Sequence, residues 1–397
     1  MKLGRVTGLL AAGLMMGLFL AGVAPAGDEN FRSVTDSRGV QVKVPREINR
    51  VITISDGLVE GTMTVLGQQG KIVALGAASL QKGYTYKYPV LGQKEPVLQY
   101  GINTVTSLNP KFMDLPRIAD WNAAPNYEAI AGLKPDVMIV RVGSCWHYRD
   151  NDQVPKSIKM LESLGIPLVV LHSPNTYGRP DMAVISSEIR IIGRVFGQED
   201  RADRLAKYLE SQIALVSERT KDVPESARTK VLIFGLSPKD REKGGAGNAA
   251  GLETIESYFV EEVANARNAF PEKGGSKMLS AEQVLALNPE VIVLRTSWGY
   301  HPPRELYEAP YYQNLSELKA VKERRVAALP YTPSNCDKRL EYPIDAMVIA
   351  KAAYPKKFQD IDLAAWLIEF YRNVYGVDEA TAAKLRSAQC LDWTLDK

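Results

Sequence analysis

Cysteine and histidine are scarce. Three cysteines (Cys145, Cys336 and Cys390) and three histidines stand among 397 residues. That excludes a disulfide-stapled scaffold. It allows one bridge at most, whose pairing the sequence leaves open, and no cysteine–histidine spacing of the zinc-site type occurs. Charge of one sign is also lacking: 49 basic residues face 46 acidic ones, for a net charge of +3. Loss of Lys2 and Arg5 with the leading segment would reduce this to 3 − 2 = +1. A chain so close to neutral carries no electrostatic footprint for nucleic acid or an anionic membrane. Residues 9–23 are apolar but short for a bilayer span. They follow Lys2 and Arg5 and precede Ala24-Pro25-Ala26, which predicts a signal peptide over residues 1–26. No cysteine follows directly, so we expect a soluble periplasmic protein and not a lipoprotein. No P-loop and no convincing nucleophile–base set is found. The roughly 370 remaining residues suffice for two cores of ordinary domain size.

What the chain does contain is a repeat. "LKPDVMIVRVGSCWHY" from Leu133 and "LNPEVIVLRTSWGYHP" from Leu287 lie 287 − 133 = 154 residues apart. Glu128 and Glu282 precede them at equal spacing, Arg141 matches Arg295, Trp146 matches Tyr300, and His147 matches His301. In each copy a helix ends at Leu-x-Pro, because proline disfavours helix in the residue before it. An apolar β-branched run then suits a strand buried on both faces. Two copies imply two similar α/β lobes and are too few for a solenoid.

Strand-like runs at 51–54, 71–75, 137–140, 168–171, 230–234, 291–294 and 326–329 alternate with helical stretches, which predicts parallel sheets covered by helices. Residues 78–122 read as long and irregular, with Tyr84, Tyr86 and Tyr88 alternating. Residues 199–220 suit one helix of about 33 Å at 1.5 Å per residue, and residues 364–375 an amphipathic helix. "KGGAGNAAG" at 243–251 loosely fits a dinucleotide fingerprint. Charged residues separate it from the preceding strand, so it reads as a flexible cleft loop.

"VTDSRGVQVKVPREINRVITI", "NYEAIAGLKPDVMIV", "LESLGIPLVVL", "MLSAEQVLALNPEVIVL" and "LKAVKERRVAALP", in that order over residues 33–330, resemble periplasmic substrate-binding proteins of ABC importers. The likeness is to the group that carries ferric siderophores, haem and vitamin B12. It implies two Rossmann-like lobes with parallel sheets, bridged by one long helix, with the ligand in the cleft between them. The boundaries are then 27–198 for the first lobe, 199–222 for the bridge, and 223–397 for the second lobe with its helical tail. The segment 78–122 and the tail depart from the family pattern. The resemblance also implies no catalysis and no intrinsic cofactor. The partners are an ABC permease with its ATPase and a metal chelate of siderophore or haem type, bound by a monomer. A cobalamin, molybdate or tungstate receptor, or a secreted α/β enzyme on the same lobes, are the competing readings.

Ligands of open parallel sheets bind beyond the C-terminal strand ends. All three histidines (His147, His172 and His301) fall just after predicted strands. Neutral imidazole ligates transition metals, so His147 and His301 are candidates to meet the metal of a bound chelate. Trp121, Trp146, Tyr148, Tyr177, Trp298, Tyr300 and Tyr331 crowd the same edge and offer flat apolar faces to a large ligand. Arg149, Arg179 and Arg339 lie in loops, where arginine clamps carboxylates or phosphates. Arg141 and Arg295 either cap the strand edge or reach the ligand. Glu128 and Glu282 sit in first helical turns, where negative charge complements the helix dipole. In the resembled family, acids at these places dock onto permease arginines.

Overall fold

The computed structural model describes residues 29–120, 124–143, 153–177, 180–235, 247–295, 302–331 and 338–396. Strands β1 (Phe31–Thr35) and β2 (Gln41–Pro45) form an opening hairpin. Its turn closes at Gly39, whose φ of 78° suits glycine. The Asp36 carboxylate accepts from Val170 N at 3.1 Å, and Ser37 N donates to Val170 O at 3.0 Å. The hairpin therefore covers what would be an open sheet edge.

That sheet holds β3 (Val51–Ile54) and β4 (Ile72–Leu75); β5 (Gly83–Tyr88) and β6 (Val97–Ile102) form a separate antiparallel hairpin; β7 (Val137–Val142) and β8 (Leu168–His172) complete the first sheet. Its order is β4-β3-β7-β8, all parallel. The second sheet takes β9 (Lys230–Gly235), β10 (Gly247–Ala250), β11 (Arg267–Asn268), β12 (Ser276–Leu279), β13 (Val291–Leu294) and β14 (Val326–Ala328), in the order β12-β10-β9-β13-β14 with β11 beside β9. Strands β9, β11, β13 and β14 are parallel, as expected, whereas β10 runs antiparallel to β9 and β12. Residues 236–246 are too few for the crossover of a dozen or more residues that parallel pairing needs. The glycine-rich stretch is corrected here: Gly247–Ala250 is strand, not loop. A Cβ on Gly247 would stand 2.4 Å from the Phe234 ring, so the glycine serves close packing.

Helices in the first half are α1 (Leu58–Val65), α2 (Thr104–Leu108), α3 (Tyr127–Leu133), α4 (Gln153–Glu162) and α5 (Ala183–Phe196). Gly197, at φ 64°, caps α5, and α6 (Glu199–Thr220) then runs unbroken to the second sheet. Acidic residues open α6 and Arg219 closes it, which matches the helix dipole. The second half adds α7 (Ile255–Tyr258), α8 (Ala281–Leu287), α9 (Pro303–Glu308), α10 (Lys319–Lys322), α11 (Tyr342–Ala353), α12 (Leu363–Tyr375) and α13 (Glu379–Ala388). Helix α7 is a single short turn that passes into a π-helical turn at Phe259–Val263.

Alternate strand residues face different cores. Val51, Val137 and Ile139 of the first sheet share one apolar core with Val231, Ile233, Val291 and Val293 of the second, filled between by Leu209 of α6 and Met347 of α11. Ile52, Met138 and Val140 back onto a separate cluster. Leu232, Phe234 and Ile292 back onto another, which includes Tyr86 and Tyr88 of β5. Residues 78–120 are thus not irregular. The hairpin β5–β6 leaves the first lobe and packs into the second, with Tyr86 Oη donating to Glu305 at 2.8 Å and Leu91 N to Glu308 O at 2.9 Å. Each fully buried aliphatic or aromatic side chain contributes about 1.5–3 kcal/mol. In the other direction, α12 and α13 pack on α1 and α2.

Candidate functional site

The sheet orders reverse direction between β3 and β7 and again between β9 and β13. Such switch points open crevices at the C-terminal strand ends. The repeat supplies both sheets with matched elements. Asn126 caps α3 by accepting from Ala129 N, and Ser280 caps α8 in a full capping box with Gln283. Lys134 and Asn288 end the two helices in the left-handed region, at φ 46° and 41°. Asp136 and Glu290 each turn a carboxylate back to the start of the neighbouring strand, on Arg50 N at 2.8 Å and Lys230 N at 2.9 Å. Glu128 and Glu282 stand at the second helical position of each copy, both exposed.

The paired arginines end differently. Arg141 is fully buried and holds both Glu188 oxygens at 2.7 Å through Nε and Nη2, while its Nη1 donates to Lys338 O at 2.8 Å. Arg295 lies 3.8 Å from Glu256 and also donates to the Ser276 hydroxyl. Glu256 in turn receives Lys338 Nζ at 3.1 Å, and the same ammonium reaches Asp345 at 2.5 Å. Burial alone would raise the Glu256 carboxyl, but Lys338 and Arg295 outweigh it and hold the group below its ordinary range. Arg141 is therefore held by the fold, and both arginines converge on the segment around Lys338 that lies between the lobes.

The next residues pin the seam. Arg339 Nε donates to the carbonyl of Asp56, just past β3. A Cβ on Gly57 would lie 2.7 Å from Arg339 Nε and 3.4 Å from Asn103 Nδ2, and its φ is 118°, so glycine is required on both counts. Tyr331 is buried with its ring on Gly101, 6.4 Å from the ring of Tyr84. Glu60 is fully buried. It accepts from Gly57 N at 3.1 Å, and burial pushes its carboxyl up to about 7. Among the described residues Arg339 Nη2, Asn103 Nδ2, Tyr331 Oη and Glu60 Oε1 have no hydrogen-bond partner. Leaving each such group bare costs about 1–3 kcal/mol.

Of the other residues singled out by sequence, His172 ends β8 half-buried. Burial lowers its pKa, with Asp36 opposing and Arg38 assisting, which places it beside the opening hairpin. Tyr177 is 45% exposed. Trp121, Trp146, His147, Tyr148, Arg149, Arg179, Trp298, Tyr300 and His301 lie outside the described residues. Among the described residues no three His, Cys, Asp or Glu side chains converge in a manner suited to a metal. No described helix is long and apolar enough to cross a membrane. Sequence reasoning missed Glu256, Lys338 and Asn103. The first two are partners 82 residues apart, and Asn103 is a single polar residue outside any motif.

Residues 78–332 match the model of the periplasmic binding protein family. The chain is 24% identical over 392 residues to the molybdate-binding protein MolA of Haemophilus influenzae, covering 94% of this chain and 97% of that one. It is 25% identical over 350 residues to an ABC transporter substrate-binding lipoprotein, YvrC, of Bacillus subtilis, covering 88% and 99%. A periplasmic solute binding protein from Veillonella parvula has the same fold, with a TM-score of 0.70 at 23% identity, over 92% of this chain and 99% of that one. The matched switch points, the helix joining two sheets and the family match agree: the chain belongs to the periplasmic binding protein family, the solute receptors of ABC importers, and is not an enzyme.

Proposed function

We propose that this receptor captures an iron complex or related metal chelate, of siderophore or haem type, between its lobes and delivers it to an ABC permease. One observation carries the reading. Segments bearing His147 and His301 follow β7 and β13, equivalent strands that end at the two switch points. An imidazole from either can meet an open position on a chelated metal, or bind haem axially. Affinity should then weaken as pH falls through about 6.5, the ordinary histidine value. In the same reading the protein is a soluble periplasmic monomer without an intrinsic cofactor. Glu128 and Glu282 dock on the permease, one from each lobe. Exposed charges of this kind set register and encounter rate more than affinity.

The deciding measurement is the absorbance spectrum and metal content of protein purified from its native host. Iron with a charge-transfer or Soret band is expected; metal-free protein that binds no ferric chelate would end this reading. An oxyanion such as molybdate is the second reading. The unpartnered donors at Arg339 and Asn103 favour it, as does the ligand in the name of the Haemophilus relative.

A further inference from the structure

The seam presents donors without acceptors. Arg339, Asn103 and Tyr331 are 5%, 1% and 1% exposed. Arg339 spends Nε on a neutral carbonyl, and among the described residues no carboxylate stands within ion-pair distance of it. Glu341 and Asp345 feel its charge from further off, so the guanidinium has partial compensation but no direct carboxylate partner among the described residues. Asn103 has its orientation fixed, because Oδ1 accepts from Val105 N at 3.1 Å as the cap of α2. Its Nδ2 is therefore the bare atom, and flipping the amide would set donor against donor. Both groups meet at Gly57, where no side chain intervenes. Tyr331 closes the set: its ring rests on Gly101, two residues before Asn103, and Arg339 is near enough to offset part of the rise that burial gives the phenol.

The neighbouring acids are engaged or neutralised. Asp56 accepts from the Ser79 hydroxyl at 3.1 Å, Glu341 accepts from Tyr375, and Glu60, raised to about 7 by burial, faces Gly57 N. Asn103 comes from the first lobe, whereas Tyr331 and Arg339 follow β14 of the second.

We infer that Arg339 Nη2, Asn103 Nδ2 and the Tyr331 hydroxyl form a subsite at the lobe seam for an anionic oxygen group, supplied either by a free tetrahedral oxyanion or by a carboxylate on a metal chelate. The inference rests on the receptor reading above and states which part of the ligand enters deepest. Charge-assisted hydrogen bonds from a guanidinium and an amide suit such oxygens.

The test uses the full mature chain and three probes in calorimetric titration: sodium molybdate, ferric citrate, and an uncharged ferric trihydroxamate. Wild type should bind at least one of the two anionic probes. Arg339→Gln should weaken that binding at least about tenfold. Asn103→Asp keeps an oxygen that caps α2 and exchanges the donor for a negatively charged acceptor, and Tyr331→Phe removes only the hydroxyl. Both should weaken the same probe while melting near the wild-type temperature, so the result stands even if Arg339→Gln fails to fold. Molybdate binding with this pattern and no chelate binding would uphold the subsite and end the chelate reading. Ferric citrate binding with this pattern would assign the anion to the chelate. Binding of the trihydroxamate alone, or anion affinity unchanged in Asn103→Asp and Tyr331→Phe, would overturn the subsite and leave the receptor reading intact.

Discussion

The two copies of the repeat agree at the cap, the helix length, the left-handed stop and the strand, and part at the arginine. In the first lobe Arg141 has a carboxylate of its own, Glu188, held through two bonds. In the second, Arg295 shares Glu256 with Lys338, which belongs to a segment running between the lobes. The carboxylate of the first serves one arginine alone, whereas that of the second also serves a lysine supplied from elsewhere in the chain. Duplicated elements can therefore keep their backbone geometry while their charges take up different work.

The largest effect tests that difference directly. Arg141→Met leaves Glu188 buried and bare and should cost about 3–5 kcal/mol. Arg295→Met leaves Glu256 with Lys338 and should cost about 1–2 kcal/mol, nearer the worth of a charged hydrogen bond. Urea unfolding of both variants measures this, and equal losses would break the comparison.

The next test sets two buried acids against each other. Glu60 has a raised folded pKa, to about 7, so the native state holds its proton more tightly than the unfolded chain. Its contribution is full below the unfolded value and is lost as pH rises through about 7, in total about 3 kcal/mol. Glu256 is shifted down, so its contribution is present above the unfolded value and is lost as pH falls through the lowered folded one. Melting temperature should thus decline from pH 5 to pH 8 in wild type, and Glu60→Gln should flatten that limb. Glu256→Gln should alter the acid limb instead.

Smaller still is Tyr86→Phe, which removes the bond from β5 to Glu305. About 1 kcal/mol is expected, read as an earlier urea midpoint with an unchanged slope. The smallest effect belongs to Glu128→Ala with Glu282→Ala: both side chains are exposed, and stability should stay within about 0.5 kcal/mol per site. If these glutamates dock on the permease, ligand affinity stays as in wild type while uptake by cells falls. Normal uptake would remove the docking role.

The matched copies were legible because local chemistry writes them. Asn126 and Ser280 are cap residues, Leu-x-Pro stops a helix, and β-branched runs favour strands. The long helix α6 was legible from its length and its acidic start. The hairpin β5–β6 was not. Its tyrosines alternate visibly, but the surface that buries Tyr86 and Tyr88 lies more than 100 residues further along the chain, beyond any local signal. The reversed direction of β10 escaped because glycine and alanine carry weak strand preference. Arg339 and Tyr331 were singled out as ligand contacts for their chemical type, whereas Asn103 gains meaning only from which of its two amide atoms the α2 cap consumes.

The ends of the hairpin have a consequence for how the chain assembles. Gln389 Nε2 donates to Ile102 O at 2.9 Å and Gln389 O accepts from Tyr331 N at 2.8 Å, while Cys390 Sγ lies 3.7 Å from Tyr100 O. These latches join residues separated by as many as 290 positions. Closing so long a loop contributes to slow folding, because its entropy is lost before the contacts form. An emerging chain can pair β3 with β7 early, but residues 83–102 must wait until the segment around 390 has emerged. A release-factor delay, or a truncation just before Gln389, should therefore leave a first lobe with native strands and an undocked, protease-sensitive hairpin.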